Sequence, residues 1–378
     1  MRIVARDLSG TPVEVIIDGP SFREVRELRG ETSKDLPWIA PGLIDIQING
    51  FGGIDFNRVL ESDDAWQHAT QQLYAHGCTG FLIALITNRP EGYRELLGDL
   101  TARLRREPRN CLGFHMEGPW LNPDPGTRGA HRPEWMGPSD LGLLEEWHAL
   151  ADNWLQLITL APEVDLEASL PVIRAATARD IRIFLGHSSA MGGDLQAAID
   201  AGAVGWTHLG NAMPATVPKF ENVILHVLSQ PNLMASLIPD GVHLPPHAFR
   251  SLARALNADA RLLLTTDAMA GAAAFPGAYS LGEVAVEVGA DGTARLPGSG
   301  RLAGSTLTPL RGVLNAARMA DLSLAEAWSA FSTGPAQILG LSRSLSPGAI
   351  ADFCLLSPDE EPKLLETWHR GACVHKAK

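Results

Sequence analysis

The residues best suited to chemistry in this chain stand where apolar runs stop. Cys111 to Met116 is a short, mostly apolar run that ends on Glu117, with Gly118-Pro119 directly after it. That is the pattern of a buried strand reaching its end. A carboxylate buried there unpaired would be costly or would lose its charge, so Glu117 needs a cation or a network of donors. Taken alone, neighbouring backbone N–H groups would serve. Two further runs end on histidine: Phe184-Leu185-Gly186 leads into His187, and Val204-Gly205-Trp206-Thr207 leads into His208. A single histidine after a strand is more often a hydrogen-bonded structural residue than a ligand. Two imidazoles and a carboxylate together, with one position left for water, make a common catalytic zinc set. The run Leu262 to Thr266 ends on Asp267. A carboxylate beside water on a metal can take its proton and later pass it to a leaving group, whereas the same Asp could simply cap the next segment.

Loop residues could complete such a site. His131 closes the segment Gly126-Thr127-Arg128-Gly129-Ala130-His131, and His243 closes Pro239-Asp240-Gly241-Val242-His243. Either can lay a donor over a cavity mouth or stand solvated on its loop. Asn211-Ala212-Met213-Pro214 offers a polar ligand an amide and loop N–H groups, and otherwise reads as a turn. Lys219 could meet an anion, although a lone loop lysine is usually just solvated.

Positioning these residues requires strands that end side by side. Candidate strands are 44–48, 80–85, 111–116, 155–160, 181–185, 204–207, 233–238 and 262–266, separated by helical stretches such as 65–76, 166–178 and 194–201. In the last helix Leu195, Ala198 and Ile199 share a face, after a Gly192-Gly193-Asp194 start that can cap it. Strand–helix alternation implies parallel strands, and eight of them predict a closed (β/α)8 TIM-like barrel. An open doubly wound sheet is the other arrangement, but no Gly-x-Gly-x-x-Gly follows the first strand. Residues 1–40 and 342–378 alternate in the manner of strands and could pair into one small sheet built from both chain ends, with the barrel at 41–341. Between Gly277 and Pro297 the pattern turns to β again, with Asp291-Gly292 as a hairpin turn.

The 378 residues are 45% hydrophobic and 20% charged, ordinary for a soluble globular protein. The formal charge of −12 argues against nucleic acid as a partner, since a phosphate backbone demands a basic face. Cys78, Cys111, Cys354 and Cys373 form no CxxC pair or disulfide framework. With no apolar leader and no run of membrane-spanning length, a cytoplasmic protein with free thiols is expected.

The strings Pro41-Gly42-Leu43-Ile44-Asp45-Ile46-Gln47-Ile48-Asn49-Gly50, His115-Met116-Glu117-Gly118-Pro119-Trp120, Gly186-His187-Ser188, Thr207-His208-Leu209-Gly210-Asn211-Ala212-Met213-Pro214, Asp240-Gly241-Val242-His243 and Thr266-Asp267-Ala268 carry a resemblance over nearly the whole chain. They are similar to the N-acetylglucosamine-6-phosphate deacetylases of the amidohydrolase superfamily. The resemblance implies a barrel with a small terminal β-sandwich, and one divalent metal, zinc with iron or manganese as alternatives, on Glu117, His187 and His208. It implies Asp267 as general base and then acid, and His131 polarising the acetyl carbonyl. Ala130, His131, Asn211, Ala212, His243, Leu302, Ala303 and Gly304 would line the sugar phosphate site, and the protein would be a homodimer.

Two departures qualify that expectation. Where many amidohydrolases have His-x-His for a second metal, this chain has Gln47-Ile48-Asn49. Amides are poor zinc ligands beside imidazole and carboxylate, so a single metal is expected. Where relatives have Arg-Glu-Pro-Gly, this chain reads Val217-Pro218-Lys219-Phe220-Glu221, leaving Lys219 at the arginine's offset as a point charge. The expected reaction is hydrolysis of the acetamide of N-acetylglucosamine 6-phosphate. An unphosphorylated or differently substituted N-acyl amino sugar is the alternative substrate, and a non-catalytic scaffold is the alternative outside enzymes.

Overall fold

A computed structural model describes residues 1–29 and 35–377. Residues 30–34, part of the expected N-terminal β region, lie outside them. Eight parallel strands follow one another around a single sheet: Leu43–Ile48, Cys78–Ile86, Cys111–Glu117, Leu155–Leu160, Arg182–Leu185, Ala203–Trp206, Met234–Leu237 and Leu262–Leu264. Every residue of the first two is buried, as a parallel sheet covered on both faces requires. Ile48 pairs in parallel with Ala268, and the Asn49 N–H donates to the Ala268 carbonyl (2.7 Å), so the chain after the eighth strand meets the end of the first. The (β/α)8 barrel predicted from the alternation is the observed fold, and the doubly wound alternative falls away.

Side chains alternate between the barrel interior and the helical layer. Ile44, Ile46, Leu82, Leu157, Phe184 and Leu263 fill the interior. The helices press one stripe inward: in Pro246–Ala258 the buried residues are Phe249, Leu252, Ala253 and Leu256, the 3.6-residue period of an amphipathic helix. Gly192–Ala201 buries Leu195 and Ala198 in the same way. Its start departs from expectation: Met191 holds the cap position with no side-chain bond, and Asp194 lies inside the first turn. There its charge complements the N-terminal dipole.

Both chain ends join one seven-stranded sheet. Arg2–Arg6, Pro12–Asp18, Ser21–Glu27 and Trp38–Pro41 come from the start, and Phe353–Leu356, Leu364–His369 and Ala372–Lys376 from the end. Trp38–Pro41 runs antiparallel to Phe353–Leu356, and after Gly42 the chain enters the first barrel strand. The sheet encloses its own apolar core of Val15, Ile17, Phe22, Phe353 and Trp368. Cys78, Cys111 and Cys354 are buried thiols and Cys373 is exposed, all unpaired. Among the described residues no helix is long and apolar enough to cross a membrane.

The predicted β excursion forms a three-stranded sheet of Gly277–Leu281, Val284–Val288 and Ala294–Arg295. Asp291-Gly292 makes its turn, with Gly292 at φ +75° and Thr293 N–H donating to Asp291 Oδ1 (3.0 Å). Arg295 then pairs with Leu302 and Ser305 with Ala268, which lays residues 302–304 across the barrel mouth.

Gly113, within the strand that ends on Glu117, tests how tightly the barrel is drawn. It adopts φ +134°, and a Cβ there would sit 2.1 Å from the Trp154 carbonyl oxygen, which already accepts the Phe114 N–H. Gly113→Ala should lower stability by roughly 1–3 kcal/mol through clash and strain. Denaturant unfolding reads this directly; an unchanged midpoint would show that the strand can shift freely.

Candidate metal centre and active-site cavity

The strand ends carry the site. Glu117 is the last residue of the third strand, and His187 and His208 follow the fifth and sixth by two residues each. The last residues of three expected strands, Thr207, Ile238 and Thr265–Thr266, leave the ladder because the chain turns sharply there. His187, His208 and Asp267 all adopt left-handed backbone (φ +48°, +34° and +51°). Such conformations cost about 1–3 kcal/mol each for non-glycine residues and persist only where their surroundings enforce them.

Those surroundings are visible. Gly186 leaves no room for a Cβ, which would lie 2.9 Å from both Thr159 Cγ2 and Thr207 Cβ. Ser236 Oγ accepts the His208 N–H (2.8 Å). Beneath Asp267, the buried Asp45 accepts both hydroxyls of Thr265 and Thr266 (2.6 Å each) and the Thr266 N–H. Burial pushes the Asp45 carboxyl up to about 6 against the pull of those hydroxyls. Ser305 ties down the same turn, its N–H donating to the Asp267 carbonyl (2.8 Å) and its hydroxyl to that of Thr266 (2.6 Å).

Glu117 Oε1 is the meeting point. His208 Nε2 lies 2.9 Å away, His187 Nε2 3.2 Å, and the Gln47 amide donates at 2.8 Å. The Gln47 amide also reaches Asp267 Oδ1 (3.1 Å), which accepts from Asn49 at 2.7 Å. The two amides at the end of the first strand thus link the two carboxylates as donors. Burial opposes charge on Glu117, but the His187 and His208 contacts hold its carboxyl well below the usual range. Burial, with the Glu117 charge adding to it, pushes Asp267 well above that range.

The far nitrogens of the imidazoles decide which can hold a metal. His187 Nδ1 donates to the Thr127 carbonyl (2.9 Å), so its Nε2 meets the carboxylate oxygen through a second ring proton or, in the neutral ring, as a lone pair. For the neutral ring the two facing lone pairs call for a cation between them, and a hydrogen bond on the far nitrogen is the usual support for a metal-binding histidine. His208 Nδ1 is buried with no partner among the described residues, and its Nε2 has no neighbour but the Glu117 carboxylate to share with an ion. His131 differs. Its Nδ1 accepts the Thr87 backbone N–H (3.3 Å) and lies 2.9 Å from the Thr87 hydroxyl, so its proton sits on Nε2, 3.7 Å from Glu117 Oε2. Burial and the His187 imidazole push it down to about 3, and it stays neutral. Donor atoms of Glu117, His131 and His187 do lie within 4.8 Å of one another. Proximity alone would make His131 a ligand; its tautomer makes it a hydrogen-bond donor aimed into the site. The donor set therefore fits one divalent ion on Glu117, His187 and His208.

These groups open into a cavity of about 290 Å³. Its walls include Glu117, Ala130, His131, His187, His208, Asn211, Ala212, His243, Asp267, Leu302, Ala303 and Gly304. The sequence-predicted residues thus converge, with one exception. Lys219 is exposed, 5.2 Å from the centre of the Phe220 ring, and does not line the cavity. Several supporting residues escaped the sequence reading. Asp45 carried a signal, an acid inside an apolar strand; Thr87, the Thr127 carbonyl and Ser236 carried none, because their roles exist only once the barrel closes.

A barrel with an acid and two imidazoles at its strand ends, a second acid facing them and a neutral imidazole donor defines a metal-dependent hydrolase. The amidohydrolase family profile matches residues 38–375, and the chain belongs to that family. It is 35% identical to the human N-acetylglucosamine-6-phosphate deacetylase, over 90% of this chain and 84% of that one. It is 32% identical to the Vibrio furnissii enzyme of the same name, over 90% and 83%. A solved structure of a mutant Mycobacterium smegmatis N-acetyl-D-glucosamine-6-phosphate deacetylase, in complex with N-acetyl-D-glucosamine-6-phosphate, superposes with a TM-score of 0.89. It covers 99% of each chain at 29% identity.

Removing one charge at the meeting point tests the donor set. Glu117→Gln should abolish retained metal after dialysis, with the fold intact by circular dichroism, because a neutral amide cannot offset two imidazole lone pairs and an ion. Full metal content in this variant, read by elemental analysis, would contradict the assignment.

Proposed function

We propose that this chain hydrolyses the acetamide of N-acetylglucosamine 6-phosphate to glucosamine 6-phosphate and acetate. The observation that carries the reading is the Gln47 bridge. It holds Asp267 beside Glu117, so a proton acceptor stands next to the metal-type donor set while His131 points its N–H at the same space. The deacetylase names of the relatives and the amino-sugar phosphate bound in the M. smegmatis structure support the substrate class.

A divalent ion on Glu117, His187 and His208 would activate water and polarise the carbonyl. Two imidazoles with one carboxylate suit zinc, with iron and manganese as the other candidates. Asp267, oriented by Asn49 and Gln47, takes the proton of the attacking water and returns it to the amide nitrogen as the C–N bond breaks. The new C–O bond places negative charge on the former carbonyl oxygen, and the His131 Nε2–H is placed to donate to it. His243, bonded to Asp240 (2.6 Å), and the segment 302–304 present donors to the sugar. The reading extends to a cytoplasmic homodimer, supported by the unpaired cysteines and the resemblance. A second reading, deacetylation of a neutral N-acetyl sugar, is favoured by the position of Lys219 outside the cavity.

Acetate release on metal-quantified protein tests this. Asp267→Asn should keep metal and fold and lose at least about 10²–10⁴-fold in turnover, the usual worth of a positioned acid–base group. Near-normal turnover would remove Asp267 from the chemistry. Chelation should silence the wild-type protein, and added zinc should restore it; activity that survives metal removal would contradict the metal role.

A further inference from the structure

An acidic cavity needs a cation to accept a sugar phosphate. The one described here contains the carboxylates of Glu117 and Asp267, and the His243 imidazole on its wall bonds Asp240 through Nδ1, leaving Nε2 to meet the sugar. Among its lining residues Arg301 is the one lysine or arginine. Arg301 is exposed at the rim, and its guanidinium makes no hydrogen bond or ion pair with any described residue. Several surface arginines differ from it in this. The chain carries 43 acidic against 31 basic residues, and Arg89, Arg94 and Arg132 at the surface all find carboxylates. On the same hairpin Arg295 is paired with Asp291 (2.9 Å).

The backbone around Arg301 is fixed. Leu296 N–H donates to its carbonyl (2.8 Å), Leu302 pairs with Arg295, and Ala303 N–H donates to the Ala294 carbonyl (3.3 Å). Three residues on, Gly304 packs on the catalytic turn so closely that a Cβ would lie 3.1 Å from the Asp267 carbonyl oxygen. Three residues of extended chain span at most about 11 Å, so the Arg301 backbone lies within about that distance of the turn, and its side chain can reach the far end of a hexose bound there. A sugar with its acetamide at Asp267 has its far exocyclic carbon within that distance.

Resting on the deacetylase reading above, we propose that Arg301 is the residue that selects a 6-phosphate on the substrate, in place of Lys219. A guanidinium offers a phosphate two parallel N–H donors, and here it has no competing partner to give up. The segment 302–304 and Arg301 then form one specificity strip, with backbone for the sugar and a charge for its phosphate.

The test compares acetate release from N-acetylglucosamine 6-phosphate and N-acetylglucosamine by the metal-loaded full-length wild type, Arg301→Ala, Arg301→Lys and Lys219→Ala. Arg301→Ala should lower kcat/KM on the phosphorylated sugar roughly 10- to 100-fold, mainly through KM, and at least about tenfold more than on the neutral sugar. Arg301→Lys should recover part of the loss. Binding of glucosamine 6-phosphate against glucosamine, by calorimetry on the same proteins, reads the contact without turnover. If the wild type releases acetate from neither sugar, the deacetylase reading fails, while calorimetry still decides on Arg301. The proposal is overturned by an Arg301→Ala protein with an unchanged phosphate preference in rate and binding, or by equal loss on both sugars. A wild type that does not prefer the phosphate, or a preference erased by Lys219→Ala alone, overturns it as well.

Discussion

The structure depends on how one buried carboxylate is satisfied. Glu117 is 3% exposed, and a single oxygen of it meets two imidazole nitrogens and an amide. Of those three partners only the Gln47 amide is unambiguously a donor. In its neutral form His187 has spent its proton on the Thr127 carbonyl. Charge that is buried against lone pairs is tolerated only where a cation compensates it. The surrounding barrel is arranged to keep this costly contact in place.

That arrangement explains features that otherwise look like defects. Left-handed backbone at His187, His208 and Asp267 turns each side chain off its strand and into the same space. The buried Asp45 would weaken an ordinary core, yet it fastens the two threonines that precede Asp267. His115, buried below Glu117, stays neutral and passes hydrogen bonds from the Ile46 carbonyl through Thr159 to Thr207, just before His208. Burial pushes it down to about 4, so it adds no competing charge beneath the site. A polar network of this kind is stabilising only when its members are satisfied, and most of these are.

Much of this was legible in the chain. Apolar runs of strand length that stop on Glu117, His187, His208 and Asp267 signal a parallel barrel whose strand ends converge, and the motif strings narrow the family further. What periodicity does not carry is the state of each imidazole. His131 and His208 look alike in the sequence, and they separate only when the Thr87 N–H is seen to occupy one ring and nothing occupies the other. Offset matching is silent on reach for a related reason. Lys219 sits at the offset where the resemblance implies an arginine, but a loop's side chain reaches a cavity only if its backbone is held over it. The backbone held over this cavity is that of residues 301–304, returned there by a hairpin that the sequence showed only as a change of pattern.

Anomalous diffraction from crystals of the zinc-loaded protein would show which side chains hold the ion. One ion per chain is expected, within bonding distance of Glu117, His187 and His208, with Asp267 facing its open side and the His131 ring unbound. An ion held by His131 in place of His208, or a second ion against Gln47 and Asn49, would contradict it.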